Sequence, residues 1–479
     1  MNLSILRRPP ALAGLLLVAG CATNPVTGRT QLSLVSEGQE IAMGQEAAKS
    51  VQQSIGLVEN AGLQSYVSQL GTMLAQGSQR ANLPWQFGVV EDPTPNAFAL
   101  PGGPVYVTRG LLGVMNSEAE LVSVLGHEIG HIAAKHQVTM ISRAQLAQIG
   151  LVAGMVLLPS LARFGDLAGG GLQLLFLRYS RDAERQADDL GFSYTLNSGY
   201  DVRDMVNVFT ALQRIGEASG QSPLPSWLAT HPGAPERIQR IQQLIAQVQQ
   251  PLDQTRRNVE PFLARLEGLV YGENPRAGFF RGGTFLHPDL RFRLDFPQGW
   301  KMQNLTQSVS AVSPQQDAAL QLTLAQGGVD DAARNFFGQQ GIQSTQVGRT
   351  SINGMSAVTG YFQAQTQQGV VEGMAAFISH ENRTYQIIGF TPARGLSRYD
   401  RVFSASIGSF SRLTDPSALN VQPNRITIVR LNESMTLAEF NARFPSRIPL
   451  DELALINGLA GPNTRIPAGA RVKRIITAS

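Results

Sequence analysis

The run NSEAELVSVLGHEIGHIAAKH, residues 116–136, constrains this chain more than any other stretch. Ser117, followed three residues later by Glu120, forms a capping-box pair that starts a helix just ahead of an apolar-periodic segment. Leu121, Val124, Leu125, Ile129 and Ile132 recur at spacings of three and four, so the helix carries a core-facing stripe and is expected to be mostly buried. His127 and His131 stand four apart, so both imidazoles project from one face and can meet one cation, with Glu128 beside them. Two neutral imidazoles in that relation can hold Zn²⁺, and the neighbouring carboxylate can take a proton from a water on the metal. His136 lies nine residues beyond His127, near the opposite side of a continuous helix, and reads as a helix C-terminal or surface histidine.

At 479 residues the chain is expected to hold two to four domains. Hydrophobic residues at 43% and charged residues at 15% describe a globular protein with ample core. The formal charge of +4 is a shallow excess without lysine or arginine blocks, which excludes a nucleic-acid partner as the reading. Arg7 and Arg8 followed by the short apolar run from Ala11 to Gly20 read as an export signal, residues 1–20. Cys21, the only cysteine, follows Leu17-Val18-Ala19-Gly20 in a pattern that resembles a bacterial lipobox, which implies cleavage before Cys21 and lipidation of it. Ala22 in the next position implies the outer rather than the inner membrane, hence a lipoprotein facing the periplasm. No other segment reaches the roughly 18 apolar residues of a membrane-spanning helix.

Residues 22–36, with Asn24-Pro25 and Thr27-Gly28, suit an exposed tether. Helical spacing covers 38–55 and 60–78, and Trp85 to Glu91 reads as a strand. Asn96-Ala97-Phe98-Ala99-Leu100-Pro101-Gly102-Gly103 and then Val105 to Thr108 read as a short hairpin ahead of the metal helix. Pro101 and the glycines would leave part of it unpaired, and such an edge, Asn96 to Ala99, can accept an extended peptide; an ordinary hairpin with a glycine turn fits equally. Between 137 and 179 the sequence turns apolar and loose, with Ile149 to Leu158 uninterrupted, which suits a lid, a membrane-contacting surface or a plain core helix with a glycine-rich loop. The polar helix that follows, SRDAERQADDLG, sets Glu184 and Asp188 four apart on one face. A catalytic zinc site wants a third protein ligand, for which Glu184 is the choice, while Asp188 can accept the spare ring N–H of a ligating histidine. A solvated charged face is the alternative for this helix.

NAFALPGG, HEIGH, SRDAERQADDLG and THPGAPERI, in this order, resemble the zinc metallopeptidase family of the HtpX-like and BepA-like bacterial proteases and the CAAX prenyl endopeptidases, of the gluzincin type, over roughly residues 35–250. The resemblance implies His127, His131 and Glu184 as zinc ligands, Glu128 as general base, and Asp188 behind a ligand. It also sets His231 and Arg237 near the site, with His231 either stabilising the oxyanion or blocking the metal in a resting state. Lacking membrane-spanning helices and tetratricopeptide repeats, the chain resembles the soluble periplasmic branch.

The expected fold class is α+β: a mainly helical peptidase domain with a small sheet at 37–250, preceded by a lipidated tether at 21–36. A connector helix and linker at 251–280 leads to an α+β domain at 281–413, with helices expected at 329–339 and 397–406; its Phe296-Pro297-Gln298-Gly299-Trp300 element resembles the PsbP-like fold. A linker at 414–424 precedes a strand–helix–helix–strand module at 425–476 that resembles LysM, although Asn432-Glu433 stands where Gly-Asp is usual. The function implied is a zinc-dependent endopeptidase acting on envelope proteins in quality control. Its partners would be protein or peptide substrates, the membrane through Cys21, and peptidoglycan or envelope-assembly proteins. The alternatives are an envelope-assembly or chaperone-like adaptor with a self-inhibited site, and a cell-wall hydrolase.

Overall fold

The computed structural model describes residues 21–150, 178–218, 227–366 and 369–477. The signal peptide at 1–20, and the apolar stretch with its glycine run from residue 151 onward, lie outside them. The chain divides into two compact units, one of Met1–Gln52, Leu57–Leu269 and Ile426–Ile475, the other of Gln53–Gly56, Val270–Arg425 and Ile476–Ser479.

In the first unit, strands β1 (Cys21–Thr23) and β2 (Thr30–Leu32) pair as an antiparallel hairpin. The stretch that reads as an exposed tether is therefore folded. Asn24 is buried; its amide nitrogen donates to the Ala134 carbonyl at 3.1 Å, while its side-chain oxygen accepts from the Val26 and Thr27 amides. A proline and a glycine in a polar run suggest a linker, but an Asx turn that satisfies a helix end uses the same residues. Helices α1 (Glu37–Ser54) and α2 (Ala61–Gln76) follow, the second capped by Asn60. Strands β3 (Gln86–Val90), β4 (Ala97–Ala99) and β5 (Pro104–Thr108) form a sheet of order β3-β5-β4, with β5 parallel to β3 and antiparallel to β4. The hairpin expected there is the β4–β5 pair, and β4 is the sheet edge.

Helix α3 (Arg109–Val114) leads into α4 (Glu118–Ala133), and all 16 residues of α4 are buried. The Ser117 hydroxyl accepts from the Glu120 amide at 3.1 Å, as the capping pair requires. The Glu120 carboxylate takes the Asn116 N–H at 2.8 Å instead of that of Ser117, so the box is closed one residue early. The other end of α4 is capped by two outside donors: Asn24 on Ala134, and Arg80, which donates to the Ile132 carbonyl at 3.0 Å while paired with Glu40. Lys135 then adopts φ +57°, in the left-handed region, and α5 (His136–Gly150) starts in a new direction.

Helices α6 (Arg181–Asn197), α7 (Arg203–Ala218), α8 (Trp227–Thr230), α9 (Ala234–Ala246) and α10 (Val259–Leu266) complete the helical part. The same unit takes in Ile426–Ile475, which holds most of strands Asn424–Arg430 and Arg471–Thr477 and, between them, helices Leu437–Arg443 and Leu450–Ile456, the order expected of this segment. Lys473 is wholly buried, and its ammonium donates to the carbonyls of Gly113 and Met115 at 3.0 and 2.7 Å, just ahead of α4.

The second unit is an antiparallel seven-stranded sheet running in the order Ile342–Ile352, Met355–Thr366, Gly369–His380, Arg383–Pro392, Ala319–Ala325, Ser308–Val312 and Lys301–Leu305, with a separate four-stranded sheet. Helices Val329–Phe337 and Leu396–Ser409 cover opposite faces. Ala375 and Phe377 pack with Phe337 on one side, and the alternating Ala376 and Ile378 pack with Phe403 on the other.

Candidate metal centre

The site begins with how closely α4 and α6 approach. A methyl group built on Gly130 would lie 3.1 Å from the Ala187 carbonyl oxygen, and one on Gly191 only 2.8 Å from the His127 nitrogen. Side-chain-free backbone on both helices thus lets Glu184 and Asp188 of α6 reach the imidazoles of α4.

Around that seam the Nε2 atoms of His127 and His131 are 3.0 Å apart. Glu184 Oε1 lies 3.3 Å from His131 Nε2, and its Oε2 3.7 Å from His127 Nε2. Nδ1 of His231 lies 3.3 Å from His127 Nε2 and 3.1 Å from Glu184 Oε1. A tetrahedral zinc with bonds of about 2.0–2.1 Å sets its donors roughly 3.3 Å apart, so these four side chains have the spacing of one coordination shell. All four are buried, and an imidazole–carboxylate donor set suits zinc. Both carboxylate oxygens of Glu128 are buried without a hydrogen-bond partner among the described residues; His231 Nε2 lies 3.6 Å from Oε1. A buried carboxylate in that state calls for a ligand, and the residues present therefore fit a metal ion with an associated water.

The shell behind the donors is as tightly made. Asp188 Oδ1 sits 2.9 Å from His127 Nδ1, and Arg237 grips Asp188 through Nε and Nη2 at 2.8 and 2.6 Å while its Nη1 lies 2.7 Å from Glu184. Burial works to raise both carboxyl groups; for Glu184 the charges of His231 and Arg237 overcome it and hold the group well below the usual range, and for Asp188 the charge and hydrogen bonds of Arg237 outweigh it and lower the group. Burial lowers His131 well below its ordinary value. For His231 burial is outweighed by Glu184 and Glu128, and the net shift is upward. Trp227 stacks on His231, with centroids 4.9 Å apart, and the Arg237 guanidinium lies over Trp227 at 4.5 Å and Phe209 at 4.6 Å.

Every residue expected in the metal centre from the sequence is here: His127, Glu128, His131, Glu184, Asp188, His231 and Arg237. Of the stretch Asn96 to Ala99, Ala97 to Ala99 form the edge strand β4, packed against α4, and Asn96 leads into it; all four are buried, and the Ala99 carbonyl already accepts from Gln137 Nε2 at 3.0 Å. Cys21 opens β1. His136 corrects the surface reading. The break at Lys135 returns it to the site, where its Nδ1 lies 2.9 Å from Nδ1 of His131, and burial pushes its pKa down to about 4. Sequence reasoning also missed Tyr179, stacked on His131 at 3.7 Å, and Trp227. Tyr179 stands directly before the Ser180 cap of α6 and Trp227 in a short turn before Thr230-His231-Pro232; that adjacency was the available signal.

Residues 61–245 match the family model described as Peptidase family M48. Among similar proteins, Metalloendopeptidase OMA1, mitochondrial, of Danio rerio is 30% identical over 252 residues, 49% of this chain and 52% of that protein. Mitochondrial metalloendopeptidase OMA1 of Schizosaccharomyces pombe is 32% identical over 232 residues, 47% of this chain and 66% of that one. Beta-barrel assembly-enhancing protease of Yersinia pestis is 30% identical over 224 residues, 45% of each. The chain spans about half the length of the curated relatives it matches. Among solved structures, that of cyanobacterial PsbP from Synechocystis matches 27% of this chain and 91% of its own at 12% identity and a TM-score of 0.23, too slight a likeness to argue from.

Proposed function

Residues 61–245 are a Peptidase family M48 domain, and on that premise we propose that the chain is a zinc-dependent endopeptidase acting on envelope proteins in quality control at the periplasmic face of the outer membrane. The observation that carries the reading is the orphaned, fully buried Glu128 carboxylate beside three donors that suit zinc. His127, His131 and Glu184 would hold the ion, with Asp188 and Arg237 behind them. Bound there, zinc supplies Lewis acidity and makes a water acidic enough to lose a proton near neutral pH. Glu128 takes that proton and delivers it to the leaving amine. His231, whose Nε2 lies 3.6 Å from Glu128 while its Nδ1 is in the donor cluster, would on release from that cluster be free to donate to the developing oxyanion. The β4 edge, Asn96 to Ala99, receives the substrate backbone as an added strand after Gln137 releases the Ala99 carbonyl. Attachment through a lipid on Cys21, and contact of the LysM-like segment with peptidoglycan, complete the proposal; a relative named for β-barrel assembly supports the envelope setting.

Glu128→Gln is expected to lower hydrolysis of an unfolded protein substrate by about 100- to 10,000-fold with fold and zinc content unchanged. Near-normal proteolysis by that variant would show the mechanism to be wrong.

A second reading is favoured by one observation: His231 completes a four-donor shell, the closed arrangement of structural rather than catalytic sites. On it the chain is an envelope-assembly adaptor with a self-inhibited peptidase site. Full complementation of a deletion strain by Glu128→Gln supports the adaptor, and failure of that variant to complement supports the peptidase. Truncation near residue 260 does not separate the two, because it removes Lys473 from the peptidase unit.

A further inference from the structure

We propose that His136, backed by Gln186, is a positioning residue that fixes the tautomer and orientation of His131, as Asp188 does for His127. The inference rests on the zinc-site reading above and concerns a residue which that reading leaves without a task.

The argument is a proton assignment. Nε2 of His131 is the atom turned to the donor cluster, 3.0 Å from His127 Nε2 and 3.3 Å from Glu184 Oε1. A metal there needs the Nε2 lone pair, so the ring proton belongs on Nδ1. That atom lies 2.9 Å from Nδ1 of His136, which must therefore accept. His136 then carries its own proton on Nε2, which lies 3.0 Å from Gln186 Oε1 and donates to it. One assignment satisfies both bonds, and the alternative tautomer of either ring breaks at least one. Gln186 comes from α6, the helix that carries Glu184 and Asp188, so one helix supports both ligating histidines.

The two supports differ in charge, which explains why an imidazole stands where metal sites commonly use a carboxylate or a carbonyl. Glu128, Glu184 and Asp188 are three carboxylates facing one guanidinium, Arg237, and one divalent ion. A neutral relay on His131 adds no charge to this buried cluster, whereas a carboxylate in place of His136 would add a fourth buried anion.

The test uses the full chain and measures zinc affinity by competition with a chromophoric chelator, with the visible absorption of the cobalt(II)-substituted protein as a second readout. His136→Phe keeps a ring and removes the acceptor; His136→Asn keeps an acceptor near the position of Nδ1. The Phe variant is expected to bind zinc about 10- to 100-fold more weakly with an altered cobalt spectrum, and the Asn variant to stay within about threefold of wild type. Gln186→Leu, at a half-buried position, is expected to weaken zinc in the same direction with the metal-free fold intact, which keeps the test open if His136→Phe folds poorly. Equal losses in the Phe and Asn variants, or unchanged affinity in the Phe and Leu variants, would overturn the relay alone. A wild-type chain that binds no zinc would overturn the site reading together with it.

Discussion

Arg237 holds two buried carboxylates, Asp188 and Glu184, and lies under two aromatic rings. Arg237→Met is expected to destabilise the first unit by about 3–5 kcal/mol, because both carboxylates lose their counter-charge in a desolvated site. Arg237→Lys should recover only part of it, since an ammonium cannot make the forked contact to Asp188. The pH dependence has a definite sign. Both carboxyl groups are depressed in the folded protein, so their stabilisation is present above the ordinary carboxylate range near 4 and is lost as pH falls through the depressed values. The stability gap between wild type and Arg237→Met should therefore be full near neutral pH and narrow as pH falls through the depressed values, which chemical unfolding followed by circular dichroism at a series of pH values would check.

At the level of elements, the crossing of α4 and α6 decides whether a site exists. Gly191→Ala puts a methyl group 2.8 Å from backbone that cannot move aside cheaply. A loss of about 1–3 kcal/mol and weaker zinc binding are expected together, read by thermal unfolding and chelator competition. A variant that loses stability but keeps wild-type zinc affinity would show that the ligands tolerate a wider crossing. The glycines were legible as letters in GHEIGH and DDLG, but their role as contact points depends on which helix packs where. Glu184 and Asp188 could be chosen from spacing because a metal needs a third donor. His136 could not, since its place depends on a lysine taking a left-handed conformation that sequence assigns to glycine or asparagine. In the second unit, helices Val329–Phe337 and Leu396–Ser409 followed from their patterning. Strand Ile342–Ile352 did not, because it is exposed along nearly its whole length and shows no alternation of apolar and polar residues.

Over the whole molecule, the segment that resembles LysM shares a compact unit with the metal centre. Burial pushes Glu120 up to about 8 and Lys473 down to about 7. Raised above its ordinary 4.5, Glu120 is held protonated by the folded protein, so its contribution to stability falls as pH rises through about 8. Lys473, depressed from 10.5, gives stability that grows as pH rises above about 7. Hydrogen exchange of the α4 amides should therefore quicken between pH 5 and 7, after correction for intrinsic exchange, by at most about 1.4 kcal/mol per pH unit in opening free energy. Glu120→Gln should flatten that slope, and an unchanged slope would remove Glu120 as its source. The bonds from Lys473 to the approach of α4 join positions 360 and 358 residues apart in the chain. They also set an order in time. During synthesis the histidines of α4 emerge early, but the carbonyls ahead of them wait for Lys473, so these contacts to the approach of α4 form only once nearly the whole described chain has been made. On the peptidase reading proposed above, a chain that completes its metal site late in synthesis has little opportunity to cut neighbouring chains while it is itself unfinished.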